Sequence, residues 1–360
     1  GHEVVGTLEA DGDGNGTPWP AGTRVVIEPV LGCLARAVDP PCTACAEGRT
    51  GNCERVAFGH LRPGLQTGYC ADTGGGWSAA GLVAHRSQLH AVPDHLTDED
   101  AVTVEPTACA LHAVLGAGVR EGETVAVLGA GTLGLLATAS LAHLAATGRI
   151  DQPADLLVGA RYPHQRRLAA ELGATDALPP DQLSRAVRRR SRSLALGTTS
   201  SPSKRLTGGA DVVLDCVGTA ESITQSLAMV RPRGRVVLLG MPARLHLDLA
   251  SLWHREVSLT GAYAYGVERV GGSARRADGG DPTSQPLRTF ELALEVAAAA
   301  RTGRLVSARY PLERFEVAVA HAGAAGRRGA VKIVFDLGET GRTDDVAQPT
   351  ERRERKGRWR

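Results

Sequence analysis

Aromatic side chains are scarce in this chain, 4% of its residues, so a core has to be assembled from Ala, Val and Leu. Long apolar runs are missing as well. The longest candidate, Leu133 to Ala146, is broken by Thr138, Ser140 and His143, and falls short of the roughly 18 to 20 apolar residues that a membrane-crossing helix needs. It reads as a buried helix, and no membrane partner is expected. A field of one sign is lacking too. The net charge is +2, and the last 23 residues carry seven Lys/Arg against five Asp/Glu, so the body before them is formally neutral. Such a body does not recruit nucleic acid by charge. The chain starts at Gly1 rather than Met and shows no basic-then-apolar leader, so further residues are expected upstream. No internal repeat is visible.

What is present centres on Thr124 to Leu136, TVAVLGAGTLGLL. A run of strand-forming residues, Thr124 to Leu128, breaks into glycines and continues as an Ala/Leu-rich helical segment to about Ala146. In that order Gly129 permits a sharp turn, Gly131 lets the backbone approach a pyrophosphate, and Gly134 allows close packing of helix on strand. The helix opening at Thr132 and Leu133 turns free N–H groups toward the phosphates. Glycine-rich turns are common; the strand-to-helix setting is what points to a dinucleotide.

A chain of 360 residues exceeds one comfortable core and predicts about two domains. Up to about residue 95, short valine-rich strands (Val4 to Leu8, Arg24 to Glu28, Gly81 to Ala84) alternate with turns such as Asp11-Gly12-Asp13-Gly14. Of seven cysteines, Cys33, Cys42, Cys45 and Cys53 cluster. Clustered thiols in a chain of this size point to metal in a reducing, cytoplasmic compartment more than to a disulfide framework. Their spacing, C-x8-C-x2-C-x7-C, suits a tetrahedral zinc held by four thiolates. The competing reading makes Cys33 a buried apolar cysteine and leaves three clustered thiols.

A helix is predicted from about Asp98 to Leu115, opened by a capping pattern at Thr97-Asp98-Glu99-Asp100 and containing Glu105-Pro106. Strands at Thr124 to Leu128, Leu156 to Ala160, Asp211 to Asp215 and Arg235 to Leu239, separated by helical patterns, predict an α/β fold with a doubly wound parallel sheet. Between Arg185 and Arg205 seven basic residues occur with no acid, which reads as a solvated helix end followed by a Ser/Thr/Pro-rich loop. A strand near Ser258 to Ala262, a Gly/Asp/Arg-rich loop at Gly271 to Pro282, a helix at Leu287 to Ala300 and a strand at Val331 to Phe335 follow. From Gly338 onward, residues 338–360 read as a disordered tail.

Together these residues resemble the medium-chain, zinc-dependent alcohol dehydrogenases, in particular the branch with sorbitol and threonine dehydrogenases. Five motifs stand in that family's order: Gly1-His2-Glu3, the cysteine cluster, Glu105-Pro106, GAGTLG at Gly129 to Gly134, and GGADVVLDCVG at Gly208 to Gly218. The resemblance implies a Rossmann domain over residues 106–264. It also implies a mainly-β GroES-like catalytic domain over 1–105 and 265–337, with a structural zinc lobe at 33–53. His2 then resembles a ligand of the catalytic zinc, Glu3 an alternate ligand or its neighbour, and Glu105 a further ligand, with Cys109 as the competing candidate. The four cysteines resemble the structural zinc ligands, departing from the family by an insertion at Ala35 to Pro41. A zinc with an open coordination position polarises a carbonyl or acidifies an alcohol, and the nicotinamide carries the hydride. The substrate implied is a small alcohol, polyol, aldehyde or ketone. The family's first catalytic ligand and the hydroxyl after it would precede Gly1, so the chain as given is expected to be weak or inactive. A noncatalytic NADP-binding relative is the alternative reading.

The second βα unit bears on the cofactor. Counting back from Glu171-Leu172-Gly173-Ala174, the strand end where an NAD enzyme of this family places an acid is Ala160, followed by Arg161. A small neutral residue beside a guanidinium leaves room and a charged partner for a 2′-phosphate, which predicts NADP over NAD. Val217 and Gly218, after Asp215-Cys216, are expected beside the nicotinamide half. His85, His90, His95 and His112 have no ligand spacing and read as structural. The family also implies a homodimer or homotetramer, with Val257 to Ala262 as the candidate pairing edge.

Overall fold

Valine-rich segments pair near the chain start because β-branched residues fit a pleated, half-buried surface. β1 (Val5–Thr7), β2 (Arg24–Ile27) and β3 (Leu89–Ala91) form an antiparallel sheet in that order. The expected strand from Gly81 to Ala84 is irregular instead. Gly81 is left-handed and Val83 is 89% exposed, so pairing passes to Leu89–Ala91. The computed structural model describes residues 1–12, 19–198, 201–270 and 285–338. Asp13 and Gly14 of the first turn, the loop at Gly271 to Pro282 and the tail beyond Gly338 lie outside the described residues.

Between β2 and β3 the short helix α1 (Thr43–Ala46) carries Cys45. The helix predicted from Asp98 is two, α2 (Asp98–Ala101) and α3 (Val104–Ala117). Thr97 caps the first, its hydroxyl accepting the Asp100 N–H at 3.1 Å. In one continuous helix the Pro106 ring would meet the carbonyl of Val102, so the helix restarts and the proline sits in a first turn that needs no N–H. That break places Glu105 at a helix start.

The remaining strands follow as β4 (Thr124–Leu128), β5 (Asp155–Gly159), β6 (Asp176–Leu178), the hairpin β7 (Ala195–Thr198) and β8 (Ser201–Leu206), then β9 (Ala210–Asp215), β10 (Val230–Leu238) and β11 (Ser258–Gly261). Six of them form one parallel sheet in the order β11-β10-β9-β4-β5-β6. The chain runs outward from β4 to one edge, then returns to β9 and runs to the other. The carboxyl ends of β4 and β9 therefore flank the switch point where doubly wound sheets bind ligands. The hairpin β7–β8 corrects the loop expected over the basic stretch. Only its first part, the end of α6 (Pro180–Arg190), is a solvated helix terminus.

Helices α4 (Thr132–Ala146) and α5 (Pro163–Glu171) precede α6, and α7 (Ala220–Met229) and α8 (Ala250–His254) come after it. Every residue of α4 from Gly134 to Leu141 is buried, Thr138 and Ser140 included, as expected of a helix that is apolar on nearly all sides. One core packs Val125, Val127 and Val158 against α3, α4 and α9 (Thr289–Ala300); a second packs Ala126, Leu157 and Val213 against Leu183, Ile223 and Leu227. Beyond the sheet, β12 (Val267–Val270) pairs antiparallel with β13 (Gln285–Arg288). β14 (Val306–Tyr310) pairs parallel with β15 (Lys332–Phe335) across α10 (Phe315–Gly323).

Candidate functional site

His2 and Glu3 lie just ahead of β1, and Glu105 lies in the first turn of α3. The fold brings them together: one ring nitrogen and one oxygen from each carboxylate lie within 4.8 Å of one another. His2 Nε2 stands 4.0 Å from Glu105 Oε2. Glu105 is almost wholly buried, and its other oxygen, Oε1, accepts the Tyr265 hydroxyl at 3.0 Å. Cys109 is one helical turn behind, its thiol 3.6 Å from that same Oε1, so Glu105 and not Cys109 joins the cluster. Lys332, on β15, donates to Glu3 Oε2.

The electrostatics suit a cation. Burial first, and the nearby Glu3 charge second, push the Glu105 carboxyl up to about 7. Burial also lowers the His2 imidazole, leaving it neutral and able to coordinate. Two acids and a neutral imidazole turned toward one point are the donor set a divalent zinc accepts, and such an ion would restore the carboxylates. Burial, then Glu105, keep the Cys109 thiol protonated.

The four cysteines form a second cluster, with their sulfurs within 4.8 Å of one another. Cys33 and Cys53 sulfurs are 3.7 Å apart. The edge of a tetrahedron with Zn–S of about 2.3 Å is about 3.8 Å, so the spacing fits zinc. Backbone N–H groups of Cys33, Cys42, Glu54 and Arg55 point at the sulfurs from 3.3 to 3.5 Å. At Cys42, burial works to raise the thiol, but hydrogen bonds from the Cys45 and Glu54 N–H groups and from the Cys45 and Cys33 thiols outweigh it and bring it to about 6, while Cys45 and Cys53 are pushed up, chiefly by burial. Four thiolates at this spacing need a cation between them. The insertion at Ala35 to Pro41 fastens the lobe: Arg36, fully buried, donates to the carbonyls of Leu31, Phe58, Leu61, Arg62 and Gly64. An arginine in a loop reads as solvated in sequence, so this anchor was not foreseeable.

The glycine turn joins β4 to α4 as its spacing requires. Gly129 is left-handed at φ 95°, and a Cβ on Gly134 would stand 1.8 Å from the Gly129 carbonyl. A Cβ on Gly131 would meet nothing within 4 Å, which leaves the backbone open for a pyrophosphate beside the N–H groups of Thr132 and Leu133. Ala160 is buried at the end of β5 and Arg161 is exposed beyond it. Arg166 donates to both their carbonyls at 3.0 Å and fixes that strand end. After β9 the buried Asp215 accepts the N–H groups of Val217 and Gly218 at 2.9 and 3.0 Å, holding the turn expected under the nicotinamide. Burial and the Asp215 charge push the Cys216 thiol up, in keeping with a packing role.

Of the four histidines read as structural, His85 bonds Ser87, His90 bonds Glu28 and His112 bonds Glu268, while His95 is exposed. Tyr265 and Lys332 carried no motif and were missed; their contacts to Glu105 and Glu3 arise only when distant segments of the chain meet.

Residues 1–94 match the alcohol dehydrogenase GroES-like domain, and residues 154–277 match the zinc-binding dehydrogenase family. The chain belongs to the zinc-dependent medium-chain alcohol dehydrogenase family. Glu105 and the glycine turn lie between the two matched stretches. Within this dehydrogenase family, sorbitol dehydrogenase of Bacillus subtilis (strain 168) is 24% identical over 269 residues, 74% of this chain and 65% of that enzyme. The chain thus spans less than two thirds of that relative's length. L-idonate 5-dehydrogenase of Vitis vinifera is 26% identical over 345 residues, covering 94% of this chain and 78% of that one. A Sinorhizobium meliloti 1021 protein assigned as a zinc-binding dehydrogenase, solved bound to NADP, superposes with a TM-score of 0.63 at 26% identity. It covers 93% of this chain and 82% of that one.

Proposed function

We propose that this chain is an oxidoreductase that moves hydride between a small alcohol or polyol, or the matching aldehyde or ketone, and NADP(H). The observation that carries the reading is the convergence of His2, Glu3 and the buried Glu105 on one point. Helix α3 bears Glu105 and packs on α4, whose N-terminus is the glycine turn. When bound, zinc at the three residues would supply Lewis acidity toward a substrate oxygen, and the nicotinamide would supply the hydride chemistry.

The residues of the chain do the rest. His2 stays neutral and so presents a lone pair; Glu105 presents Oε2 while Tyr265 occupies Oε1. Lys332 balances the second carboxylate. The half-exposed His2 ring lies 5.3 Å from the ring of Tyr69, which is 70% exposed, and this is the side from which a hydrophilic substrate can enter. Gly131 and the start of α4 would hold the pyrophosphate, Ala160 and Arg161 the 2′-phosphate, and Val217 and Gly218 the nicotinamide half. Cys33, Cys42, Cys45 and Cys53 would hold a structural zinc. The four-thiol site supports a reducing, cytoplasmic setting. The open sheet edge at β11 supports a homodimer or homotetramer.

The test is oxidation of a panel of polyols and simple alcohols by zinc-loaded protein, followed at the nicotinamide absorbance with NADP and NAD in parallel. Turnover with NADP, abolished by Glu105→Ala, is the expected result. An NADP-binding chain that turns over nothing in the panel supports the noncatalytic alternative, and equal use of NAD after Arg161→Ala and in the parent counts against the phosphate pocket.

A further inference from the structure

The chain around Tyr265 touches both candidate metal sites. Its hydroxyl donates to Glu105 Oε1 at 3.0 Å. Its backbone carbonyl accepts the Gly51 N–H at 3.2 Å and the Thr50 hydroxyl at 3.4 Å. Thr50 and Gly51 lie in the loop between Cys45 and Cys53, so one residue bonds the glutamate through its side chain and the cysteine lobe through its main chain.

The joint has no slack. Val267 N–H donates to the Gly48 carbonyl at 2.9 Å, and a Cβ on Gly266 would stand 2.1 Å from that carbonyl. A Cβ on Gly51 would come within 3.0 Å of both the Tyr265 carbonyl oxygen and the Ala264 Cβ. Ala264 holds φ 52°, a conformation that a residue with a side chain keeps only when its surroundings enforce it. The phenol ring is fully buried and set edge-on to Phe290, with centroids 5.0 Å apart. A displacement of the lobe therefore moves the Tyr265 main chain, and a ring wedged in this way carries the displacement to its hydroxyl.

We propose that Tyr265 is a positioning residue through which the four-cysteine lobe sets the rotation of the Glu105 carboxylate. A carboxylate with Oε1 pinned offers Oε2 to the cluster in one orientation; an unpinned one rotates. Groups that hydrogen-bond a metal ligand in this manner typically change metal affinity by 10- to 100-fold. The role rests on the zinc reading given above.

Cobalt(II) titration of the metal-free full chain separates the two sites, because thiolate-to-cobalt bands report the cysteines and weaker visible bands report a site of nitrogen and oxygen ligands. Competition with a chelator then gives each affinity. Tyr265→Phe keeps the ring and removes only the hydroxyl; the expected result is a roughly 10- to 100-fold loss at the nitrogen–oxygen site, with the thiolate site unchanged. Gly51→Ala presses on the joint without touching a cysteine or the phenol. It should weaken the nitrogen–oxygen site in the parent chain and add nothing in the Tyr265→Phe background. Two-site binding that Tyr265→Phe leaves unaltered, or an equal Gly51→Ala loss in both backgrounds, overturns the coupling alone. Cobalt bound only at the cysteines of the parent chain overturns the zinc reading and this role with it.

Discussion

Lys332 on β15 donates to the Glu3 carboxylate, joining positions 329 residues apart in the chain. The lysine is 7% exposed and stands in a parallel strand pair formed late in the sequence, so the last strand closes a cluster begun by the second residue. Its charge also favours the ionised form of Glu105 and the neutral form of His2.

Lys332→Met should therefore loosen Glu3 and weaken metal at His2, Glu3 and Glu105 by about 10- to 100-fold. Chelator competition measures this, and the cysteine lobe should keep its metal in the same samples. An unchanged affinity would show that Lys332 serves packing only.

The glycine turn gives a paired prediction. Gly134→Ala places a methyl group 1.8 Å from the Gly129 carbonyl and should cost about 2 to 3 kcal/mol in urea unfolding. At Gly131, φ is −74° and the space is open, so Gly131→Ala should keep stability within about 1 kcal/mol. That methyl would occupy the pyrophosphate's approach, so NADPH binding by fluorescence titration should still fall at least about tenfold.

The parts of this molecule that repeat with a period were legible in its sequence. The apolar runs from Thr124, Leu156, Asp211 and Arg235 became neighbouring parallel strands, and the Thr97 cap began a helix where expected. The cysteine cluster and the trio His2, Glu3 and Glu105 were legible through spacing and family order. Short strands without alternation were not. Gly81 to Ala84 failed because its glycine is left-handed and none of the described strands pairs with it, and β7–β8 was hidden in a stretch whose Ser, Thr and Pro suggested a loop. Arg36, Lys332 and Tyr265 escaped for a different reason, as their partners lie on segments that only the folded chain brings near.

Arg36→Met should show how much the insertion contributes. Five carbonyls around the cysteine lobe lose their donor, which should destabilise the fold by about 3 kcal/mol. Faster reaction of the lobe thiols with a disulfide reagent in metal-free protein would locate the damage there. Equal rates would place it elsewhere.

Glu28 gives the pH dependence. Burial alone would raise its carboxyl, but the hydrogen bond from His90 and the charge and hydrogen bond of Arg288 outweigh that and hold it below its ordinary value of 4.5. A carboxyl lowered on folding stabilises the native state above about pH 4.5, and this contribution is lost as the pH falls through the lowered value. Glu28→Gln should cost about 3 kcal/mol at pH 7 by leaving Arg288 unpaired, and should flatten the acid limb of a stability-against-pH curve. A parallel downward shift with the acid limb intact would assign that limb to other groups.

The account turns on two metal sites in one chain, and metal content tests it most directly. Protein loaded with zinc and freed of excess should hold two zinc per chain, falling to one in His2→Ala/Glu105→Ala and, separately, to one in Cys42→Ser/Cys45→Ser. A parent chain holding a single zinc that the His2→Ala/Glu105→Ala change leaves in place would contradict it.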